Sequence, residues 1–509
     1  MTLSLDRASA VPLYRQIVDQ IRSAITAGDL APHDRLPTTR ALAEQLGVNR
    51  LTINRAYEDL IGSGLVSGQV GRGTFVAAGA AGARQAELPG EPHQGAMLGW
   101  DHLIARAPAR ALETVPYGRS DPGASQGMIS FASLFPDPAL FPVATFRRAM
   151  DHVLRHEGGR LLGYGPPSGH APLRGWISES LKARGIEAPL QRIVITNGSQ
   201  QGIDLVARAL LEPGDQVLVE NPTYTGAVQV FQAYGAELTG IPMESEAASL
   251  AMLEETLARR RPKLIYVMPN FQNPTSLTMS LGARKVLLRL ARRHQIPILE
   301  DDFGGDLRFE GPELPALSAI DHTGHVIYLS TFAKKLLPGL RIGWLAAPPG
   351  ILDRLVGLKR IADFGASLVL QAALHEFCQR GDMDRHLEHV VAAYRERRDA
   401  MLLALSRFMP PDATWSRPEG GLAVWVRLPE GHDEQELARS AEQRGVLVGR
   451  GDLFHIGTGH HRHLRLSYSQ ASTKEIHRGI RILGEVIRKS TRSGRPATQG
   501  QAEDRLPLI

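Results

Sequence analysis

Apolar side chains recur at helical spacing in three stretches of the first 78 residues. In the first stretch they form one stripe, and Gly28 is expected to end that helix. A second, shorter helix should follow Pro37, with Thr38 or Thr39 as its N-cap and Gly47 after its last turn. The stripe of the first helix consists of Leu13, Tyr14, Ile17, Val18, Ile21 and Ile25.

A third helix is expected from Asn49, which can cap it, to Ile61. Its predicted apolar face consists of Ile53, Ala56, Tyr57, Leu60 and Ile61. Two short extended runs, LVSGQV and GTFVA, follow on either side of Gly71 and Gly73, so they predict a hairpin with Arg72 at its tip. Three helices joined by tight turns and followed by a hairpin predict a winged helix-turn-helix of the α+β class.

The rest of the chain alternates apolar, strand-like runs with amphipathic helical segments. The runs are RIVIT, DQVLVE, KLIYVMP, PILED and HVIYLS. This alternation predicts an α/β domain with a mostly parallel sheet covered on both faces. The smaller C-terminal subdomain that we also expect is implied by the family resemblance of this domain, given below. Ligands bind at the carboxyl ends of such strands, so residues directly after each run are the candidates for a site.

A length of 509 residues also indicates more than one domain. We assign residues 8–78 to the winged helix, 79–96 to a linker rich in Gly, Pro and Ala, 97–488 to the large domain and 489–509 to a disordered tail. The single cysteine, Cys378, fits a reducing compartment. We find no signal peptide and no membrane-spanning run, so a cytoplasmic protein is expected. No metal site is expected.

Charge alone does not predict a nucleic-acid partner. Residues 1–78 contain eight arginines and no lysine against seven acidic residues, a net charge of +1 (8 − 7). The positions of the arginines are more informative, because the start of the third helix and the hairpin tip are where a winged helix meets DNA. The candidates for DNA contact are Arg40, Arg50, Thr52, Arg55 and Arg72. The alternative is that these arginines are solvated surface charges.

Residues 12–76 resemble the winged helix of the GntR family of bacterial regulators along nearly the whole stretch. The resemblance implies binding to the half-sites of a double-stranded DNA operator. The contacts of the family then fall on Arg40, Arg50, Thr52 and the wing around Arg72. Asn49 stands where the family more often has serine, and it caps a helix equally well.

Residues after the strand-like runs of the large domain supply the groups that pyridoxal phosphate needs. Lys334 follows HVIYLS and offers an amine, and Asp301 ends PILED and offers an anion for the pyridine nitrogen. Residues 196–201 open a helix whose N–H groups, at Gly198, Ser199 and Gln200, can face a phosphate. Taken singly, such a lysine is more often a surface residue and such a helix start an ordinary cap. Further candidates are Arg341 for the phosphate, Tyr224 for the ring face and Asn273 for the ring hydroxyl O3′.

Residues 97–488 resemble the class I aminotransferases of fold type I, because motifs such as VITNGSQQG, PNFQNPTS, STFAKKLLPGLRIGW and HLRLSYS occur in the same order. The resemblance implies a Schiff base on Lys334, and it assigns Asp301 to the pyridine nitrogen, Asn273 to O3′ and Tyr224 to ring stacking. The phosphate ligands that it implies are Ser199, Gln200, Ser330 and Arg341. It also implies that Arg465 binds the carboxylate of an amino acid, and that Tyr164 reaches the phosphate of a neighbouring subunit in a homodimer.

A winged helix followed by such a domain resembles the MocR-type subgroup of GntR regulators over nearly the entire chain. The resemblance implies a transcription regulator that binds pyridoxal 5′-phosphate and senses an amino compound or the cofactor itself. Phe303 stands where related families place a tyrosine that hydrogen-bonds O3′, which predicts poor catalysis. Two alternatives stay open: an active aminotransferase with an accessory N-terminal domain, and a large domain that binds no cofactor and only forms dimers.

Overall fold

The structure is a computed structural model in which two compact units, residues 1–100 and 101–509, are distinguished. It describes residues 3–6, 12–62, 65–69, 73–77, 127–243, 245–457 and 462–490, with a few positions between 105 and 111. Arg72, the predicted linker at 79–96 and residues 491–509 lie outside the described residues. Along the described residues, no helix combines the length and the apolar character that crossing a membrane requires.

The small unit consists of three helices and a two-stranded antiparallel hairpin, as predicted. The elements are α1 (Leu13–Ala27), α2 (Thr39–Leu46), α3 (Arg50–Gly62), β1 (Val66–Gln69) and β2 (Gly73–Val76). Gly28 and Gly47 end α1 and α2 with positive φ angles of 84° and 58°. Thr38 caps α2 by accepting a hydrogen bond from the Ala41 N–H at 3.2 Å, and the Asn49 side chain accepts one from the Leu51 N–H at 2.9 Å.

The core of the small unit follows the predicted apolar faces with one exception. Ile17, Ile21, Ile53 and Leu60 are buried, whereas Ile61 is 45% exposed. Ile61 lies about 100° around the helix from Leu60 and therefore leaves the buried face.

The N-terminal segment also packs on α1, which the sequence did not indicate. The Gln20 side chain exchanges two hydrogen bonds with the backbone of Ser4, and the Gln16 side chain exchanges two with the backbone of Asp6. These paired bonds hold residues 3–6 along the helix.

The large unit contains the predicted sheet of mostly parallel strands. In spatial order the strands are β4 (Ile193–Thr196), β10 (Gly343–Ala346), β9 (Val326–Thr331), β8 (Ile298–Asp301), β7 (Leu264–Val267), β5 (Gln216–Asn221) and β6 (Glu237–Pro242). The five predicted runs are β4, β5, β7, β8 and β9. The strands β6 and β10 were not predicted from the sequence, and β10 is antiparallel to both of its neighbours.

Helices cover this sheet and continue into a C-terminal subdomain. They are α4 (Val143–Leu161), α5 (Ala171–Ala183), α6 (Ser199–Leu210), α7 (Thr225–Ala233), α8 (Glu246–Arg259), α9 (Leu281–His294), α10 (Leu317–Ile320), α11 (Pro349–Asp363), α12 (Leu368–Gln379), α13 (Asp382–Phe408), α14 (Glu434–Gln443) and α15 (Thr473–Ser490). The helix α15 continues two residues into the tail predicted from residue 489. Arg488 and Lys489 in its last turn stabilise that helix end.

The smaller subdomain contains a second, five-stranded sheet. Its strands are, in spatial order, β11 (Thr414–Trp415), β12 (Ala423–Arg427), β14 (His463–Ser467), β13 (Val446–Arg450) and β3 (Ile129–Phe131). The edge strand β3 comes from the beginning of the large unit and pairs in parallel with β13. Residues 132–135, directly after β3, are thereby placed beside the carboxyl ends of the first sheet, where the candidate site lies.

Candidate cofactor and ligand site

A cavity of about 440 Å³ lies at the carboxyl ends of the large sheet, within the large unit. It is lined by residues at the edge of the large sheet, by residues of the C-terminal subdomain and by the segment 132–135. The predicted site residues that line it are Ser199, Tyr224, Asn273, Asp301, Lys334 and Arg465. The topology of the parallel strands accounts for this meeting of residues that are far apart in sequence.

Lys334 lies in the turn after β9, with its side chain inside this cavity. Its Nζ donates a hydrogen bond to the Leu134 carbonyl at 3.1 Å and lies 5.7 Å from the centre of the Phe135 ring. Burial, together with the positive charges of Arg465 and Arg341, lowers the pKa of Lys334 to about 8. More of this amine than of an ordinary lysine is therefore neutral near pH 7, and the neutral form is the nucleophile.

Asp301 ends β8 and is only 2% exposed. Its Oδ2 accepts a hydrogen bond from the Tyr266 hydroxyl at 2.8 Å, while its Oδ1 is buried without a partner among the described residues. Burial raises the pKa of Asp301 to about 7. An unpaired carboxylate oxygen that lines a cavity fits a ligand with an N–H donor, such as a protonated pyridine ring.

We expect Asp301→Asn to change how the stability of the cofactor-free protein depends on pH. A carboxyl whose pKa is about 7 when folded and about 4 when unfolded binds more protons in the folded state, so wild-type stability falls as pH rises between those values. The asparagine does not ionise. Wild type should therefore lose about 1–4 kcal/mol more than the variant between pH 4 and 8. Urea unfolding at both pH values measures this loss, and parallel pH profiles would contradict the assignment.

The predicted phosphate cradle is built at the start of α6. Gly198 has a φ of 79° and precedes the first helical residue, Ser199. Arg341, with a φ of 53°, points its guanidinium here, and its Nη2 donates to the Asn197 carbonyl at 3.3 Å. A Cβ at Gly198 would lie 2.6 Å from that Nη2, and one at Gly343 would lie 2.9 Å from the Ser199 nitrogen. Glycine at both positions thus lets Arg341 and β10 lie close to the start of α6, so that an arginine and helix N–H groups, which together suit an anion, are brought together.

A buried polar network, which was not predicted from the sequence, supports this cradle from behind. Asp363 Oδ2 accepts hydrogen bonds from Asn197 at 2.6 Å, from Gln201 at 2.8 Å and from Lys359 at 2.6 Å. Lys359 is 0% exposed. Lys359 and Asp363 are four residues apart on α11, which is a local signal, whereas Asn197 and Gln201 lie at the start of α6 and meet Asp363 only through the fold.

Arg465 on β14 is the second cation in the cavity. Its Nη1 donates to Asn273 Oδ1 at 2.9 Å, its Nη2 donates to the Ala132 carbonyl, and its Nε is buried without a partner among the described residues. Burial lowers the pKa of Arg465 to about 10. The guanidinium also lies 4.6 Å from the centre of the Phe454 ring. A buried cation with a spare donor fits a carboxylate ligand.

Other predicted site residues have different surroundings. The Tyr224 hydroxyl donates to Gln200 Oε1 at 3.0 Å, so this glutamine side chain contacts the ring platform. Ser330 Oγ is buried and donates to the Asp302 carbonyl at 2.8 Å. Phe303 is buried and lines the cavity. Tyr164 is 98% exposed and is not among the residues that line the cavity of its own chain.

Two further contributors were not identified from sequence. Tyr266 lies in the apolar run KLIYVMP, where a polar hydroxyl in a buried strand could have drawn attention to a partner such as Asp301. The segment 132–135 supplies backbone carbonyls to Lys334 and Arg465, and backbone contacts leave no signal in side-chain identity.

The candidate DNA-contacting residues lie on α2 and α3 of the small unit. Arg40 and Arg50 are exposed and Thr52 is half-buried. Arg55 is exposed too, but its guanidinium lies 4.4 Å from the centre of the Tyr14 ring of α1. Arg40 and Arg50 therefore have the greater freedom to meet a phosphate or a base.

Comparison with known proteins identifies both units. Residues 13–76 match the bacterial regulatory proteins of the gntR family, and residues 136–483 match aminotransferase class I and II. The uncharacterized HTH-type transcriptional regulator YisV of Bacillus subtilis is 34% identical over 495 residues, which cover 96% of this chain and 99% of that protein. The probable rhizopine catabolism regulatory protein MocR of Rhizobium meliloti is 34% identical over 452 residues, or 87% of each chain.

Among solved structures, a similar one is LysN, the alpha-aminoadipate aminotransferase of Thermus thermophilus, in complex with N-(5′-phosphopyridoxyl)-L-leucine. Its sequence is 34% identical, and the TM-score is 0.71 over 78% of this chain and 100% of that chain. Two kinds of relative, whole-length regulators and stand-alone aminotransferases, thus match this chain.

Proposed function

The chain belongs to the class I and II aminotransferase family and carries a gntR-family DNA-binding domain, as MocR-type transcription regulators do, and on this premise we propose that a ligand of the large unit controls operator binding by the small unit. The ligand is an amino compound or the cofactor itself. The cofactor of the large unit is pyridoxal 5′-phosphate.

The observation that carries this proposal is that the Lys334 amine and an Asp301 oxygen without a hydrogen-bond partner among the described residues, Oδ1, line the same cavity. When bound, pyridoxal phosphate supplies an aldehyde that condenses with primary amines and a ring that withdraws electrons. Asp301 would hold the proton of the ring nitrogen, and Lys334 would be the protein amine that holds the aldehyde carbon. The N–H groups at the start of α6 and Arg341 would hold the phosphate.

Regulation requires that a ligand bind one arrangement of the protein better than another. Lys334 and Arg465 both donate hydrogen bonds to carbonyls of the segment 132–135. A covalent partner on Lys334 and a carboxylate on Arg465 would each compete for those donors. Ligand binding would therefore change the hydrogen bonding of residues 132–135, which gives the large unit a ligand-dependent difference in contacts.

Dimer formation belongs to the same proposal. Tyr164 is almost fully exposed, and the next residue, Gly165, packs against the Leu368 side chain of α12. In a homodimer Tyr164 would reach the phosphate of the partner subunit. Two copies would also present two winged helices to the two halves of an operator, in the cytoplasm.

An aminotransferase function is the second candidate, and the lowered pKa of Lys334 favours it. A buried amine with a pKa of about 8 can accept and return a proton near neutral pH, which an amino-group transfer requires. Phe303 offers no hydroxyl to the ring, so catalysis is expected to be poor. Conversion of an amino acid to its oxo acid at the rate of an enzyme would favour this alternative, and failure to turn over would favour regulation.

We expect Arg50→Ala to weaken binding to the intergenic DNA beside the protein's own gene. If Arg50 contacts a base, the loss should be roughly 1–3 kcal/mol, about 5- to 150-fold in Kd. Fluorescence anisotropy with a labelled duplex measures it, and wild-type binding should also weaken steeply with salt. Arg15→Ala, an exposed arginine on α1, is the matched control and should have little effect. A Kd that changes neither with the salt concentration nor with Arg50→Ala would contradict the DNA-binding assignment.

A further inference from the structure

The lining of the cavity is mainly apolar once the predicted site residues are set aside, and we call this remainder of the lining the apolar part. It is built from the segment 132–135, from α14, and from β13 with the turn that follows. The apolar side chains that line it are Phe135, Ala438, Leu447, Val448, Leu453 and Phe454. Burying a charged ligand group against such a wall without a partner is costly, whereas burying an apolar group is favourable.

Two charged residues, Arg450 and Glu442, also line this part of the cavity. Arg450 is already occupied by Asp452: its Nε donates to Oδ1 at 3.0 Å and its Nη2 donates to Oδ2 at 2.7 Å. This paired contact raises the pKa of Arg450, so the guanidinium stays charged, yet its charge is matched inside the protein. Glu442 would repel a ligand carboxylate.

Asp452 is itself held in position. It begins the short helical turn Asp452–Phe454 directly after Gly451, and its Oδ2 also accepts a hydrogen bond from Gln435 Nε2 on α14 at 3.3 Å. The ion pair is half-buried and joins residues two apart in sequence. The Asp452 side chain therefore loses little conformational freedom when it forms the ion pair with Arg450.

We infer that the amino compound is an α-amino acid with an uncharged, apolar side chain, and that Asp452 excludes dicarboxylic amino acids by covering Arg450. This inference rests on the proposed function, because it assumes that the cavity holds the cofactor and that Arg465 holds the α-carboxylate. Arg450 is then the cation, among the described residues that line the apolar part, that a second carboxylate would need. Asp452 is thus a specificity-determining residue.

The test uses the full-length protein loaded with cofactor. L-leucine, L-glutamate and L-lysine are titrated while the visible absorption of the bound cofactor is followed. We expect wild type to bind leucine at least about tenfold more tightly than either charged amino acid. In Asp452→Ala, glutamate affinity should rise about tenfold because Arg450 is released, while leucine affinity changes little.

A double variant, Asp452→Ala with Arg450→Met, should lose the gain for glutamate, which assigns the gain to Arg450. Asp452→Asn, which keeps the shape of the side chain, replaces Asp452→Ala if the alanine protein does not fold. The inference would be overturned if wild type bound glutamate or lysine more tightly than leucine. It would also be overturned if the Asp452 variants, in which Arg450 is released, bound glutamate no more tightly than wild type does. Absence of any saturable response to amino acids, with the cofactor band present, would also overturn it while leaving cofactor binding intact. Absence of the band itself would refute the proposed function instead.

Discussion

Lys334→Ala is expected to abolish the visible absorption that the protein, once incubated with pyridoxal phosphate, retains after gel filtration. The Lys334 amine is the primary amine in the cavity beside Asp301, and burial together with Arg465 and Arg341 lowers its pKa to about 8. Without it the aldehyde carbon has no protein partner there. The cofactor would then be held only by the cradle and Asp301, and it should be removed by gel filtration. Absorption spectra before and after filtration measure the loss.

Lys285→Ala is the matched control for this variant. Lys285 is an exposed lysine on α9, and its removal should leave the absorption band unchanged. An equal band in Lys334→Ala and wild type after filtration would show that another amine holds the cofactor. That result would leave the candidate site without its central residue.

Arg465→Met is expected to remove most of the affinity for amino acids while keeping the cofactor. The Arg465 guanidinium is buried, and its Nε has no partner among the described residues, so a ligand carboxylate would complete its hydrogen bonding. Truncating one member of a buried charge pair costs about 2–5 kcal/mol, roughly 30-fold to several thousand-fold in Kd. Titration of L-leucine against the cofactor absorption measures the change.

The amine 3-methylbutylamine, which is leucine without its carboxylate, provides the control for Arg465→Met. Wild type should prefer leucine to this amine, and the variant should lose that preference because it has lost the carboxylate partner. The preference of Arg465→Lys for leucine should lie between that of wild type and that of Arg465→Met. Lysine keeps the charge but cannot donate to Asn273 and Ala132 at the same time, as the guanidinium does. A variant that still prefers leucine would contradict the role of Arg465.

The pattern of apolar residues was sufficient to predict five of the seven described strands of the large sheet, because burial on both sheet faces demands continuous apolar runs. The runs that became β4, β5, β7, β8 and β9 are uninterrupted in this way. The strand β6 was missed because ELTGIP is half-exposed at the sheet edge and mixes polar with apolar residues. The strand β10 was missed because GWLA begins with glycine and ends with alanine, two residues that are uncommon in strands.

The candidate site was predictable where residue type and strand end coincide. Asp301 ends a buried strand and Lys334 follows one, and the parallel topology places such ends together. The pairing of Tyr266 with Asp301 and the contact of Asn197 with Asp363 were not predictable, because these residues are brought together only by tertiary packing. The same holds for the carbonyls of residues 132–135. The pair Arg450 and Asp452 is close in sequence, but its position at the cavity is visible only in the fold.

Coupling between the two units is tested most directly by measuring how tightly the cofactor-loaded protein binds its own intergenic DNA with and without saturating L-leucine. A coupling of about 1–3 kcal/mol, roughly 5- to 150-fold in Kd, is expected for wild type, and none is expected for Lys334→Ala. Equal DNA affinity of wild type in both conditions, with the absorption showing that leucine is bound, would contradict control of DNA binding by an amino acid.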